Sequence, residues 1–186
     1  MPMTKKHFMD PRRAGEVLRY HTFHVLRQQS VGEHTWQAMR VLCAIWPDVP
    51  RAVLLYAMVH DCGELRTGDI PLLHKEECSD AWRMEQDSQE DMALRSMCLP
   101  WGLPAPTAEV GPVERNVFKL AEYIEMWEYG LCERNRGNRY AHLIVQRCWD
   151  TIQPMLLPGG GVPSHIIDAA GAYINRRARQ EEDIRQ

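Results

Sequence analysis

The stretch Pro50-Arg51-Ala52-Val53-Leu54-Leu55-Tyr56-Ala57-Met58-Val59-His60-Asp61-Cys62-Gly63-Glu64 decides how this chain is read. Proline opens a helix readily, because its missing N–H falls where no intrahelical bond is needed. Val53, Leu54, Ala57 and Met58 then recur at the spacing of one buried face. Gly63 is a natural C-terminal residue, so the helix is predicted to end near Asp61 with His60 and Asp61 in its last turn. Inside a regular helix, adjacent side chains point about 100° apart. Both can face one ion only at an opened helix end, where the terminal carbonyls also favour a cation by roughly 0.3–1 kcal/mol at exposed sites.

Working outward, prolines and glycines cut the chain into helix-length pieces. Asp10-Pro11 reads as an N-cap and first-turn proline opening a helix to about Arg27. Ser30-Val31-Gly32-Glu33 is a capping box, and its helix carries His34 in the first turns and stops at Trp46-Pro47. Thr67-Gly68-Asp69-Ile70-Pro71 is loop, and a helix from about Ser79 to Met97 precedes a Pro/Gly-rich connection, Pro100 to Pro106. Pro112 begins a helix whose buried side is marked by Val113, Val117, Leu120, Ala121, Ile124 and Trp127. Further helices are predicted over Arg139 to Ile152 and Pro163 to about Arg179, with the charged end from Arg176 to Gln186 fraying. No segment shows sustained strand alternation, and there is no internal repeat. The expectation is an all-α fold: one domain over residues 1–186, a bundle of about six or seven helices, with its core over about 12–153 and a C-terminal helix over about 163–179.

A chain of 186 residues with 45% apolar and 25% charged residues can build one true core. Its net charge of −3 argues against a general nucleic-acid binder, so charge on a phosphate must be met locally. The six cysteines include no Cys-x-x-Cys, which suggests reduced thiols rather than a disulfide framework or thiolate zinc site. No apolar stretch reads as a signal peptide or membrane span, and a cytoplasmic location is expected.

His34, His60, Asp61 and Glu122 form a set that can hold one divalent cation, since bundles draw metal ligands from distant helices. Two carboxylates and two neutral imidazoles nearly neutralise the ion and leave positions open to polarise water. Glu64, three residues after Asp61, is placed to exchange protons with that water or a leaving oxygen. Each residue also has an ordinary reading: His34 as a structural histidine, Asp61 as a cap, Glu122 as a solvated charge. Glu125, one turn after Glu122, is a lesser ligand candidate, and Glu125 to Glu128 otherwise reads as a helix face beside the core. His21 and His24 are read as structural, and Cys62 as a small packing residue.

Taken together, Arg19-Tyr20, Ser30-Val31-Gly32-Glu33-His34, His60-Asp61-Cys62-Gly63-Glu64, Thr67-Gly68-Asp69-Ile70-Pro71 and Lys119-Leu120-Ala121-Glu122 resemble the HD-domain phosphohydrolases. Within them the chain is most similar to the YfbR-type 5'-deoxynucleotidases and the phage deoxynucleoside triphosphate hydrolases of the DatZ kind. The resemblance implies His34, His60 and Asp61 as metal ligands, Glu64 as the catalytic carboxylate and Asp69 as a second active-site acid. Lys75 and Lys119 fall where the family uses lysines near phosphate. Arg19-Tyr20 matches an Arg-Trp pair that recognises the nucleotide and disfavours a ribose 2'-hydroxyl; tyrosine here keeps the aromatic face and adds a hydroxyl. Glu122 stands where the family's fourth ligand is aspartate.

The implied activity is metal-dependent hydrolysis of 5'-deoxynucleotides, using cobalt, manganese, zinc or magnesium. Products are a deoxynucleoside with phosphate, or a deoxynucleoside with tripolyphosphate. The implied partners are a small deoxynucleotide and further copies of the chain. The departure at Glu122 motivates an alternative, a nucleotide-sensing HD module without turnover. Hydrolysis of an alarmone-like nucleotide or another phosphoester is a third reading, because one scaffold hosts several substrates.

Overall fold

The computed structural model describes residues 10–70, 78–98 and 110–183. Lys75, His7, His74, Pro71 and the predicted connection from Pro100 to Pro106 lie outside them. The elements in order are α1 (Pro11–Ala14), β1 (Leu18–Arg19), β2 (Gln29–Ser30), α2 (Val31–Ile45), α3 (Arg51–Val59), a 3-10 turn (His60–Gly63), α4 (Glu64–Thr67), α5 (Asp80–Cys98), α6 (Pro112–Asn135), α7 (Ala141–Met155) and α8 (Ser164–Asp183). The fold is all-α, with six helices of nine residues or more among the described residues. The charged C-terminal segment does not fray at Arg179: α8 runs to Asp183, with Glu181 buried against Arg177 at 2.8 Å.

The predicted helix from Asp10 to Arg27 does not form. Asp10 does cap α1 by accepting from the Arg12 N–H, but the helix ends at Ala14. The chain then runs as a short antiparallel ribbon with Leu18 opposite Ser30 and Arg19 opposite Gln29. The intervening loop is held from far away: Glu133 accepts from the N–H groups of Leu26 (2.5 Å) and Arg27 (3.1 Å), and the Tyr129 hydroxyl donates to the Arg27 carbonyl at 2.5 Å. Those bonds replace the ladder a helix would have supplied.

Around the central helix, the sequence reading stands except at Val113, which was expected on the buried side and is 50% exposed in the first turn of α6. Ser30 Oγ accepts from the Glu33 N–H at 3.2 Å and opens α2. The reciprocal half of the capping box is absent, because the Glu33 carboxylate pairs with Arg27 instead. α6 packs against α7 and α2, burying Phe118, Leu120 and Ile124 against Val41, Leu42, Ile144 and Ile152. Each large apolar side chain buried there contributes about 1.5–3 kcal/mol.

Gly63 does not stop α3 in the way expected. Its φ is −57°, an ordinary helical value, and the path tightens into the 3-10 turn and continues as α4. What requires glycine there is proximity: a Cβ would lie 2.7 Å from the Glu90 carbonyl oxygen of α5. The chain instead leaves helical geometry at Gly68, whose φ is +77°. Val59 and Leu94, with Cys62, seal the turn against α5.

Candidate metal centre and its cavity

His34 lies in the first turn of α2, His60 and Asp61 open the 3-10 turn, and Glu122 lies midway along α6. One ligand atom from each falls within 4.8 Å of all the others. His60 Nε2 is 3.0 Å from Asp61 Oδ1 and 3.2 Å from Glu122 Oε1; His34 Nε2 is 3.6 Å from the same Glu122 oxygen and 3.8 Å from Asp61 Oδ2. Sequence had scattered these residues over almost ninety positions, and the packing of α2, the turn and α6 joins them.

Each imidazole is anchored through its other nitrogen. His60 Nδ1 donates to the Ala57 carbonyl at 2.8 Å, which fixes its tautomer. His34 Nδ1 is 2.5 Å from Glu125 Oε2. Both Nε2 atoms are therefore turned into the cluster, buried, and without an aligned hydrogen-bond partner among the described residues. A buried polar atom left in that state costs roughly 1–3 kcal/mol. Two such nitrogens facing two carboxylates form a donor set suited to a divalent cation.

Opposite charges stabilise one another at this point. Burial disfavours the imidazolium of His60, yet Asp61 and Glu122 beside it push its pKa up to about 10. Burial works against ionised Asp61, but His60 and Arg19 hold it well below the usual carboxylate range. Glu122 is likewise held well below its ordinary value against burial, by Lys119 and His60.

A cavity of about 390 Å³ opens onto Asp61 and Glu122. Glu64, 5% exposed, lines it, as do Asp69, Arg19, Tyr20 and Lys119. Phe23, Tyr123, Met126 and Leu143 supply an apolar wall. Arg19 and Lys119 do not simply face open space: Arg19 donates to Asp61 Oδ2 at 3.2 Å, and Lys119 lies 3.4 Å from Glu122 Oε2. Each cation thus touches one carboxylate of the cluster.

Asp69 accepts from the Tyr20 N–H at 3.3 Å and lies 3.8 Å from His21. That bond pins Tyr20 at a φ of +58°, a conformation costing non-glycine residues on the order of 1–3 kcal/mol and often found at functional sites. The Tyr20 ring stacks on Tyr129, with centroids 4.6 Å apart and planes at 9°. Its hydroxyl is buried without a hydrogen-bond partner among the described residues.

The sequence reading missed what stands behind the cluster. Glu125 is not a member of the four-residue set; it sits on the far side of the His34 ring. Gln29, singled out by no motif, donates to Glu125 Oε1 at 2.6 Å. Glu128 lies on the core-side face as expected, 7% exposed and bound to Arg40, Tyr173 and Arg177. Only the three-residue spacing of Glu122, Glu125 and Glu128 along α6 hints at this in the sequence.

Residues 14–128 match the HD domain family, and the chain belongs to that family. Among individual proteins, it is 33% identical over 70 residues to the dATP triphosphohydrolase of Cyanophage S-2L, a match spanning 34% of this chain and 39% of that protein. The solved structure of the Cyanophage S-2L HD phosphohydrolase DatZ, bound to dA and one catalytic Zn²⁺ ion, matches with a TM-score of 0.62 at 16% identity, covering 98% of this chain and 99% of that one. An HD-domain phosphohydrolase from Listeria innocua matches with a TM-score of 0.67 at 15% identity, over 95% and 88% of the two chains. No helix among the described residues is long and apolar enough to cross a membrane.

Proposed function

We propose that the chain is a single HD unit that hydrolyses 5'-deoxynucleotides with one divalent cation held by His34, His60, Asp61 and Glu122. The observation carrying this reading is the convergence beside the cavity of two carboxylates with two buried Nε2 atoms that have no aligned hydrogen-bond partner among the described residues. The dATP triphosphohydrolase relative and the Zn²⁺-bound neighbour support it. Bound at such a set, a divalent cation polarises a phosphoryl oxygen and acidifies water at neutral pH.

The remaining work falls to the chain's own side chains. Glu64, buried in the cavity wall close in sequence to Asp61, takes the proton from the attacking water and returns one to the departing ester oxygen. Asp69 is the second acid of the site and holds the Tyr20 backbone in its strained form. Arg19 and Lys119 offset phosphate charge from the outer oxygens of Asp61 and Glu122, and Lys75 belongs to the same group by family position. Tyr20 and the apolar wall receive sugar and base. The same proposal includes self-association, which light scattering reads directly.

The deciding experiment is a product-resolved screen of deoxy- and ribonucleoside mono- and triphosphates after chelation and reconstitution with Co²⁺, Mn²⁺, Zn²⁺ or Mg²⁺. Metal-restored release of phosphate or tripolyphosphate from deoxynucleotides is expected. Nucleotide binding with no turnover under every metal would replace the enzyme with a sensor.

A further inference from the structure

We propose that Glu125, clamped by Gln29, is a positioning residue that fixes His34 for the cation. The inference rests on the metal-binding reading above and concerns what makes that site rigid. His34 is 0%, Gln29 1% and Glu125 2% exposed, so the contacts among them are not fluctuating surface pairs. Glu125 has both oxygens engaged: Oε2 with His34 Nδ1 at 2.5 Å and Oε1 with Gln29 Nε2 at 2.6 Å. A carboxylate on one imidazole nitrogen forces the other to be the ligating one and makes it a stronger donor.

The ribbon explains why a two-residue strand pair exists here at all. Directly opposed residues of an antiparallel pair project from the same face, and Arg19 lies opposite Gln29. Arg19 donates to Asp61 Oδ2 while Gln29 holds Glu125. One ribbon position therefore steadies two separate members of the cluster, His34 through Glu125 and Asp61 directly.

The test is metal affinity on chelator-stripped protein, titrated calorimetrically with Zn²⁺ and Mn²⁺. Glu125→Ala is expected to bind about 10–100-fold more weakly than wild type, as removal of such outer partners does elsewhere. Glu125→Gln, which keeps an acceptor for the His34 N–H but not the charge, should fall between the two. Gln29→Met should weaken binding less than Glu125→Ala. In Zn²⁺-loaded wild type, nitrogen-resolved NMR should find His34 protonated at Nδ1, with that proton protected from exchange, and protection should vanish in Glu125→Ala. Should Glu125→Ala fail to fold, Glu125→Gln, Gln29→Met and the wild-type spectrum decide. Wild-type affinity in both Glu125→Gln and Gln29→Met, or an unprotected Nδ1 proton in wild type, overturns the positioning role and leaves the metal reading intact. Failure of wild type to bind either metal removes the metal reading and this role with it.

Discussion

Glu122 and Glu128 sit on the same helix, 8% and 7% exposed, and burial presents the same cost to each ionised carboxylate. Around Glu128 the protein provides the answer itself: Arg40 at one oxygen, the Tyr173 hydroxyl at 2.9 Å and Arg177 at 3.3 Å on the other. Around Glu122 the inner oxygen faces two imidazole Nε2 atoms, and among the described residues these lack aligned partners and only the half-exposed Lys119 reaches the outer oxygen. A buried acid saturated with guanidinium and hydroxyl donors is built to stay as it is. A buried acid set among imidazoles could hold a cation, and the contrast sets Glu122 apart on α6 more sharply than burial or charge alone.

The contrast would be broken most severely at Glu64, which lies beside the cluster without belonging to it. Glu64→Gln should lower kcat by about 10²–10⁴-fold, the usual worth of a proton-transferring side chain, while metal affinity stays near wild type. Retained turnover would remove Glu64 from the reaction. Replacing Glu122 should act in the reverse sense. Glu122→Ala is expected to cost more metal affinity than the roughly 10–100-fold typical of outer-shell partners. Cation at 100 times its Kd should stabilise wild type by about 2.7 kcal/mol, a rise in Tm of roughly 5–10 °C, and the rise should be missing in Glu122→Ala.

Glu128→Ala should leave metal affinity untouched and lower stability by about 1–3 kcal/mol, because its arginines are partly exposed and recover some hydration. Denaturant unfolding of metal-free protein reads this directly. If Glu122→Ala destabilises the metal-free chain as much as Glu128→Ala does, the two centres do not differ in kind.

Further along α6, Glu133 extends the saturated end. Burial raises its pKa, but Asn138 and the N–H groups of Leu26 and Arg27 outweigh that and hold it below the ordinary value. A depressed folded-state pKa means the stabilisation is fully present above the unfolded value near 4.5 and is lost as pH falls through the lower folded one. Glu133→Gln should therefore reduce stability at pH 7 by about 1–3 kcal/mol and flatten the acid limb of the stability curve. An unchanged acid limb would mean that Glu133 does not hold the loop.

These same residues mark how far the sequence could be read. The helices of nine residues or more from Val31 onward were legible because local signals specify them: a capping serine, prolines at helix starts, apolar residues at helical spacing. The cluster was legible because Glu33-His34, His60-Asp61-Cys62-Gly63-Glu64 and Thr67-Gly68-Asp69-Ile70-Pro71 occur together in the order of the HD-domain phosphohydrolases, where an isolated His-Asp pair would say little. The loop between β1 and β2 was not. Its N–H groups are satisfied by Glu133, 107 and 106 residues away, and no local pattern carries that information. Glu125 and Glu128 were legible as a helix face beside the core, but their partners were not, since Gln29, His34, Arg40 and Arg177 come to them from distant parts of the chain.

The smallest expected effect tests whether residue 122 is a tolerated variant or a fitted one. Glu122→Asp installs the residue the family resemblance leads one to expect, and shortens the side chain by one methylene. Its inner oxygen, now 3.2 Å from His60 Nε2, must be supplied from farther back on α6, and the i,i+3 contact with Lys119 is weakened. Losing that contact costs little, because Lys119 is more than half exposed and readily hydrated. If the turn and α2 can close the gap, metal affinity should move by no more than about tenfold, or roughly 1.4 kcal/mol. A collapse of metal binding in Glu122→Asp, with folding intact, would mean that the spacing between α6 and the 3-10 turn is set for the longer acid. The centre would then be a distinct version of the family site, one that tolerates no return to aspartate.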